Sequence, residues 1–293
     1  MPATLRQAVR AGLMVTQDSG FWLIPQGGTG SIEDTDNASG ADYTWYGLYE
    51  GADKWLDSHR LVGLAFEVSR SDADPASGDI SLDSLELAAY GRWQDEKRYL
   101  DASLHAGQHN TETSRRVTVG SLNHTAKADY DAQSLGLATE AGQTTFEQGN
   151  QRITPFIGLR YARLSRDSFS EKGAGSANLM VESETQTSLQ GRIGVRVTQR
   201  SDTGSGRKLH WDASVAWARE LMDTTSTLKA GFEGAPSIIF GTDGPELDRN
   251  RVQLGMGMTT DIGKNTTLRI GYDGELAGSD QNHAASASFQ VKW

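Results

Sequence analysis

Residues 282–293 read NHAASASFQVKW. Taken in steps of two, Ala285, Ala287, Phe289, Val291 and Trp293 are apolar, while Ser286, Ser288, Gln290 and Lys292 between them are polar. A period of two belongs to a strand with one apolar and one wet face. The alternation recurs upstream. Val252, Leu254, Met256 and Met258 interleave with Arg251, Gln253, Gly255 and Gly257. Leu268, Ile270 and Tyr272 interleave with Arg269, Gly271 and Asp273, and Leu85, Leu87 and Ala89 with Glu86 and Ala88.

Twelve such segments are predicted, at 20–31, 40–55, 60–71, 80–94, 97–110, 127–146, 151–166, 184–200, 207–223, 249–262, 265–276 and 282–293. In the first two, FWLIP and YTWYGLY place aromatic residues on both parities, so their facing stays open. Most segments are longer than the 5–6 residues typical of globular strands and reach the roughly 9–11 residues that a tilted strand needs to cross a bilayer. Alternate connections differ. LDSHR, QDEK, EQGNQ, RSDTGSGR and IGKN are short; IEDTDNASGAD, SDADPASGD, ETSRRVTVGSLNHTAK and SFSEKGAGSANLMVESE are expected to be longer polar loops at the opposite end. Short turns at one end and longer loops at the other are the layout of an outer-membrane barrel. A soluble twelve-stranded barrel would have an apolar interior too wide to fill. The expected fold is therefore all-β: a 12-stranded antiparallel up-and-down transmembrane barrel of the outer-membrane type.

The 293 residues carry a net charge of −10 and no cysteine. Disulfides and cysteine-ligated metals are excluded, and no basic stripe suits nucleic acid. Parity assigns to the lumen Glu67, Glu86, Arg92, Asp101, His105, Glu140, Arg160, Arg192, Arg196, Arg251, Arg269, Asp273 and Glu275. Both signs are mixed, which implies no strong ion selectivity. Inward glycines such as Gly63, Gly107, Gly194, Gly255, Gly257 and Gly271 leave room inside or ease bending.

Residues 3–17, ATLRQAVRAGLMVTQ, follow helical spacing instead: Leu5, Val9 and Leu13 form one row, and Arg6, Arg10 and Met14 another. Such a helix would be about 22 Å long, close to the roughly 25 Å apolar band of a barrel. The division is thus 1–18, a linker helix plugging the pore, and 19–293, the barrel. Arg6 and Arg10 would need inward carboxylates, with Glu86, Glu140 and Asp273 as candidates, because unpaired buried cations are costly.

Three stretches carry a family resemblance: PFIGLRYARLSRDSFSEKGAGSANL (155–179), FEGAPSIIFGTDGPELDRNRVQLGMG (232–257) and TTLRIGYDGELAGSDQNHAASASFQVKW (266–293). They resemble the C-terminal translocator domains of monomeric autotransporters (type V secretion). The match covers the last 140 residues or so in letters and the first half in layout. The resemblance implies twelve strands around a helix, secretion or surface display of an N-terminal passenger absent from this chain, and a monomer. It also implies that the last strand, with Phe289, Val291 and Trp293, is an address for the barrel-assembly machinery. Some members cut their passenger in the lumen with an acidic residue and a helix asparagine; 3–17 holds no asparagine.

Two other functions compete. A porin-like diffusion channel would share the polar lumen. An outer-membrane hydrolase would need catalytic groups at the mouth, drawn from His59, His105, His109, His124, His210 and His283. No GxSxG occurs. His105 and His109 would lie about 13 Å apart on one strand face, too far to share a metal. The acidic loops need no ion to explain them. No enzyme activity, metal or cofactor is expected.

Overall fold

The computed structural model describes residues 19–35, 38–120, 122–202 and 208–293. The expected helix at 3–17, with Arg6 and Arg10, lies outside the described residues. Twelve long strands make one antiparallel sheet: β1 (Gly20–Ile32), β2 (Ala41–Trp55), β3 (Arg60–Pro75), β4 (Gly78–Gln94), β5 (Arg98–Val119), β6 (Leu122–Gln143), β7 (Gln151–Arg166), β8 (Glu184–Asp202), β9 (Lys208–Glu220), β10 (Asn250–Asp261), β11 (Thr266–Leu276) and β12 (Asp280–Lys292). Each pairs with the next, and β12 returns to β1 from Lys292↔Gly20 to Asp280↔Ile32, so the sheet closes. The closing register is interrupted between Leu23↔Phe289 and Gln26↔Ser286. Pro25 lies in this gap and has no N–H to give the ladder.

Side chains divide as the alternation demands. On β12, Ala285, Phe289, Val291 and Trp293 point out and are exposed, whereas Ser288 and Gln290 are buried. Outward positions elsewhere carry Leu64, Leu87, Ile157, Ile193, Met256 and Ile270, each more than half exposed. A continuous apolar belt of this kind far exceeds what a water-soluble surface tolerates; against lipid it is the favourable surface. Aromatic residues flank it: Phe21, Trp93, Trp211 and Trp293 toward the end that holds both Gly20 and Trp293, and Tyr46, Tyr161, Trp217 and Tyr272 toward the other, as at the interfaces of membrane barrels.

The facing left open for the first two strands is settled. Trp22, Ile24, Trp45 and Tyr49 point inward, while Phe21, Leu23, Tyr46 and Leu48 meet lipid. With Leu61, Ala65, Ala88 and Tyr90 from β3 and β4, the inward residues Trp22, Ile24 and Tyr49 form a buried apolar cluster on one wall.

The expected long loops need correction. SDADPASGD lies mostly within β3 and β4, with only residues 76 and 77 between them, and ETSRRVTVGSLNHTAK belongs to the tips of β5 and β6. Above the membrane both faces of a strand are hydrated. The apolar alternation stops there although the backbone pairing continues to Val119↔Leu122. Two connections at this end are long, 167–183 and 221–249, and they build a second sheet. Its order is Ile239–Asp243, Thr227–Phe232, Leu179–Val181, Phe169–Ser170. A bridge from Lys172 to Lys127 joins it to β6.

At the opposite end, two turns repeat one device. Asp57 accepts from the His59 and Arg60 N–H groups at 2.8 Å each, and Asp95 from those of Lys97 (2.9 Å) and Arg98 (2.7 Å). In each turn the arginine three residues on also binds the carboxylate. The Arg60 side chain, then the His59 amide, hold Asp57 down at about 2; the Lys97 and Arg98 amides, then the Arg98 side chain, do the same for Asp95. An Asp-x-x-Arg spacing thus closes both hairpins by charge-assisted hydrogen bonds.

Candidate translocation pore

The lumen is built from the inward positions, and its charges are paired across strands. On β4 and β5, Arg92 grips Asp101 with two bonds of 2.7 Å. On β6, Glu140 accepts from Arg196 at 2.7 Å, lies 3.1 Å from Arg192, and accepts the Tyr99 hydroxyl at 2.7 Å. Arg196 also donates to Tyr99 at 2.9 Å. Arg192 and Arg196 stack on the Phe156 ring, with centroid distances of 5.0 and 5.1 Å. On the far wall Arg251 meets Asp280 at 3.1 Å and Glu275 at 3.5 Å, and Arg269 binds Asp212 at 2.5 and 3.1 Å. Arg160 borders a cavity of about 610 Å³ at the outer mouth with Glu86, His105, Glu220, Arg251 and Glu275. Asp273 sits opposite Gly255 on β10. Glu67 is buried.

The two nearby histidines serve the wall. His105 shares a 2.8 Å hydrogen bond with Ser103, and His109 is bonded through its two ring nitrogens to Ser84 (2.9 Å) and Ser134 (2.8 Å). Glu86 stands 3.8 Å from His109. The aromatic wall is tied by Trp22 Nε1 donating to Tyr90 at 2.8 Å, Tyr90 donating to Asp53 at 3.1 Å, and Trp45 Nε1 donating to Asn282 at 3.1 Å. The passage therefore has an apolar, aromatic wall on β1–β4 and an ionic one on β4–β12.

The sequence matches the Autotransporter beta-domain family over residues 21–273. The chain belongs to that family. It is an outer-membrane translocator barrel. Curated relatives include an extracellular serine protease of Serratia marcescens, 26% identical over 275 residues that are 92% of this chain and 26% of the relative. The esterase EstA of Pseudomonas aeruginosa is 25% identical over 94% of this chain and 43% of its own length. This chain thus spans about a quarter to under half of these relatives. In fold it is similar to the translocator domain of the autotransporter NalP from Neisseria meningitidis, with a TM-score of 0.76, 17% identity, and coverage of 99% of this chain and 98% of that one. The beta domain of the Bordetella autotransporter BrkA gives a TM-score of 0.69 with 17% identity, covering 94% and 100%.

In this autotransporter beta-domain the inward glycines are beds for large neighbours. Gly158 stands between Glu140 on β6 and Arg192 on β8. A Cβ there would lie 3.0 Å from the Arg192 side chain, so the bare backbone lets that arginine reach the carboxylate across β7. Gly257 does the same under Arg269 on its way to Asp212, Gly63 under Tyr90, Gly51 under Trp22 and Gly194 under Phe156. Sequence reasoning missed Tyr99, Phe156, Asp212 and Asp280 as members of this wall. Their parity was readable, but their partners depend on which strands adjoin and in what register.

Glu140 is the acceptor on which three donors converge, with side chains of Glu140 and Arg196 only 11% and 8% exposed. Glu140→Ala leaves two cations short of their carboxylate and should cost about 3–5 kcal/mol, read from denaturant unfolding in detergent. A loss below about 1 kcal/mol would show that these arginines are solvated rather than held.

Proposed function

We propose that this domain carries a passenger polypeptide, joined upstream of residue 1, across the outer membrane to the cell surface and holds it there. The observation that supports this best is a closed, lipid-belted barrel whose passage has one aromatic, apolar wall and one ionic wall, in a chain of the autotransporter beta-domain family. We assign the protease and esterase activities named in the relatives to the parts of those proteins outside this domain, so the barrel itself is not an enzyme. We propose further that residues 3–17, which lie outside the described residues, form a linker helix in the lumen with Arg6 and Arg10 facing inward carboxylates. Glu86, Glu140 and Asp273 are the candidate carboxylates, and Glu140 also holds Arg192 and Arg196. The divisions 1–18 and 19–293 follow from this reading, as does a lumen that is blocked rather than open as a diffusion channel.

The terminal strand serves as the address for the barrel-assembly machinery through Phe289, Val291 and Trp293, within a belt that meets lipid and lipopolysaccharide. Trp293 also has a packing role, since its ring lies edge-on to Phe21 at 4.5 Å across the closing seam.

An epitope-tagged reporter fused upstream of residue 1 should become protease-accessible on intact cells, and remain inside when the barrel is deleted. Equal surface exposure without the barrel contradicts the assignment. Deleting Trp293 should lower the amount of assembled barrel in cells at least about tenfold while shifting unfolding in detergent by no more than about 1–2 kcal/mol, the range of an ordinary aromatic contact. Parallel losses in both assays would reduce Trp293 to packing alone.

A further inference from the structure

The even positions of β2 read Thr44, Tyr46, Leu48, Glu50, Ala52 and Lys54. This is the lipid-facing parity, with Tyr46 60% and Leu48 40% exposed. Glu50 shares it and is exposed as well. Its cross-strand neighbours are Leu23 on β1, which meets lipid, and Phe66 on β3, which pairs in turn with the outward Leu87. A carboxylate is therefore set into the apolar belt.

Strand geometry fixes its depth. Tyr46 belongs to the aromatic band at the outer end, and Lys54 lies beyond Ala52, the partner of Phe21 in the other band. Glu50 is four residues from Tyr46 and four from Lys54. At about 3.3 Å per residue and a tilt of about 40°, it lies roughly 10 Å below the first and roughly 10 Å above the second, near the middle of an apolar band about 25 Å tall. Lipid headgroups are out of reach at that depth. Among the described residues no side chain or amide donates to the Glu50 carboxylate, and the next cation on its strand face, Lys54, is about 13 Å away along β2.

An ionisable group placed there calls for a partner inside the membrane. A carboxyl that carries a proton is both donor and acceptor, so two carboxyls satisfy each other. Polar side chains of this kind hold membrane segments together, because lipid offers them no hydrogen bond. The surroundings suit close approach: Ala52 is small, and Leu23, Leu48 and Leu64 present 39%, 40% and 68% of their surface.

We propose that Glu50 is the centre of an interface between two copies of this barrel, which meet through β1–β3 and join their Glu50 carboxyls by a shared proton. Two like-oriented copies in one membrane form a closed pair about an axis along the membrane normal. Such an axis preserves depth, so a residue beside it meets its own counterpart at the same height. A carboxyl is self-complementary under that operation, and the chain thus supplies the complement of Glu50 itself. The two lumens stay separate, and the inference is independent of what passes through them. It sets a reversible dimer against the monomer implied by the family resemblance.

The chain has no cysteine, so positions can be probed one at a time. Full-length barrels carrying Ser58→Cys in the turn between β2 and β3 are labelled with donor or acceptor dye, mixed, and reconstituted into phosphatidylcholine vesicles at a series of protein-to-lipid ratios. Energy transfer should exceed that of random mixing and fall on dilution along a single binding curve. Glu50→Leu should weaken association about tenfold, the order of one polar contact in lipid. Glu50→Gln, whose amide also pairs with itself, should largely retain it, with β-sheet content unchanged for both by circular dichroism. In the same vesicles a membrane-permeant oxidant should link Ala52→Cys barrels to each other and leave Ile193→Cys barrels, six strands away on β8, single. Transfer no greater than random mixing, association of Glu50→Leu equal to that of the parent, or equal linking at 52 and 193 overturns the proposal. So does a barrel that is monomeric in vesicles yet links from position 52 to another protein in cells, which would give Glu50 a different occupant.

Discussion

A backbone amide or carbonyl in hydrocarbon must find its partner within the protein, because no water is there to supply one. For strands the only full solution is a ring, and the rest of this molecule follows from the pairing of β12 with β1. Closure turns the period of two into a boundary between lipid and lumen. It also brings both ends of the barrel to one rim, where Trp293 donates its N–H to Ser19 and covers Phe21 on the lipid side. The seam is interrupted only around Pro25, where a donor is missing.

With most of the large apolar side chains committed to the outside, the interior away from the β1–β4 cluster holds the polar ones, and these must satisfy each other. Charge-assisted bonds do this where opposite signs can meet. The distance between strands would keep many of them apart, and glycine removes the obstacle: Arg192 crosses Gly158 and Arg269 crosses Gly257 to reach carboxylates two strands away. On the other wall the same bare positions receive aromatic rings, Trp22 over Gly51 and Tyr90 over Gly63. A pairing of large side chain with facing glycine thus recurs on both walls. Much of the mixed charge in the lumen is therefore internal pairing.

Much of this was legible in the chain, and the parts that were not share a cause. β12 could be read because lipid on one side and water on the other sort residues by chemistry, as in Phe289 and Gln290. β1 and β2 could not be oriented, since Trp22 and Tyr49 fill the lumen side while Phe21 and Tyr46 meet lipid, and aromatic character no longer distinguishes the faces. The tips of β5 and β6 looked like loops because hydration on both faces erases alternation, although Arg115 and Tyr130 still alternate inward and meet Glu171 and Phe169 of the 167–183 connection. Partners such as Glu140 with Arg196 lie 56 residues apart; their meeting depends on strand order and register, which individual strand patterns do not carry. The second sheet was hidden for the same reason, being assembled from two connections far apart in sequence.

The central claim is that one parity faces lipid and the other the lumen along every membrane strand, and the terminal strand tests it most directly. The chain has no cysteine, so single cysteines at 285 through 291 can be labelled one at a time with a fluorophore in barrels reconstituted into bilayers that carry a quencher on the lipid tails. Labels at 285, 287, 289 and 291 should be quenched by the lipid-borne group, and those at 286, 288 and 290 should be spared. Quenching that is uniform along the strand, or that falls on the even positions, would contradict the account.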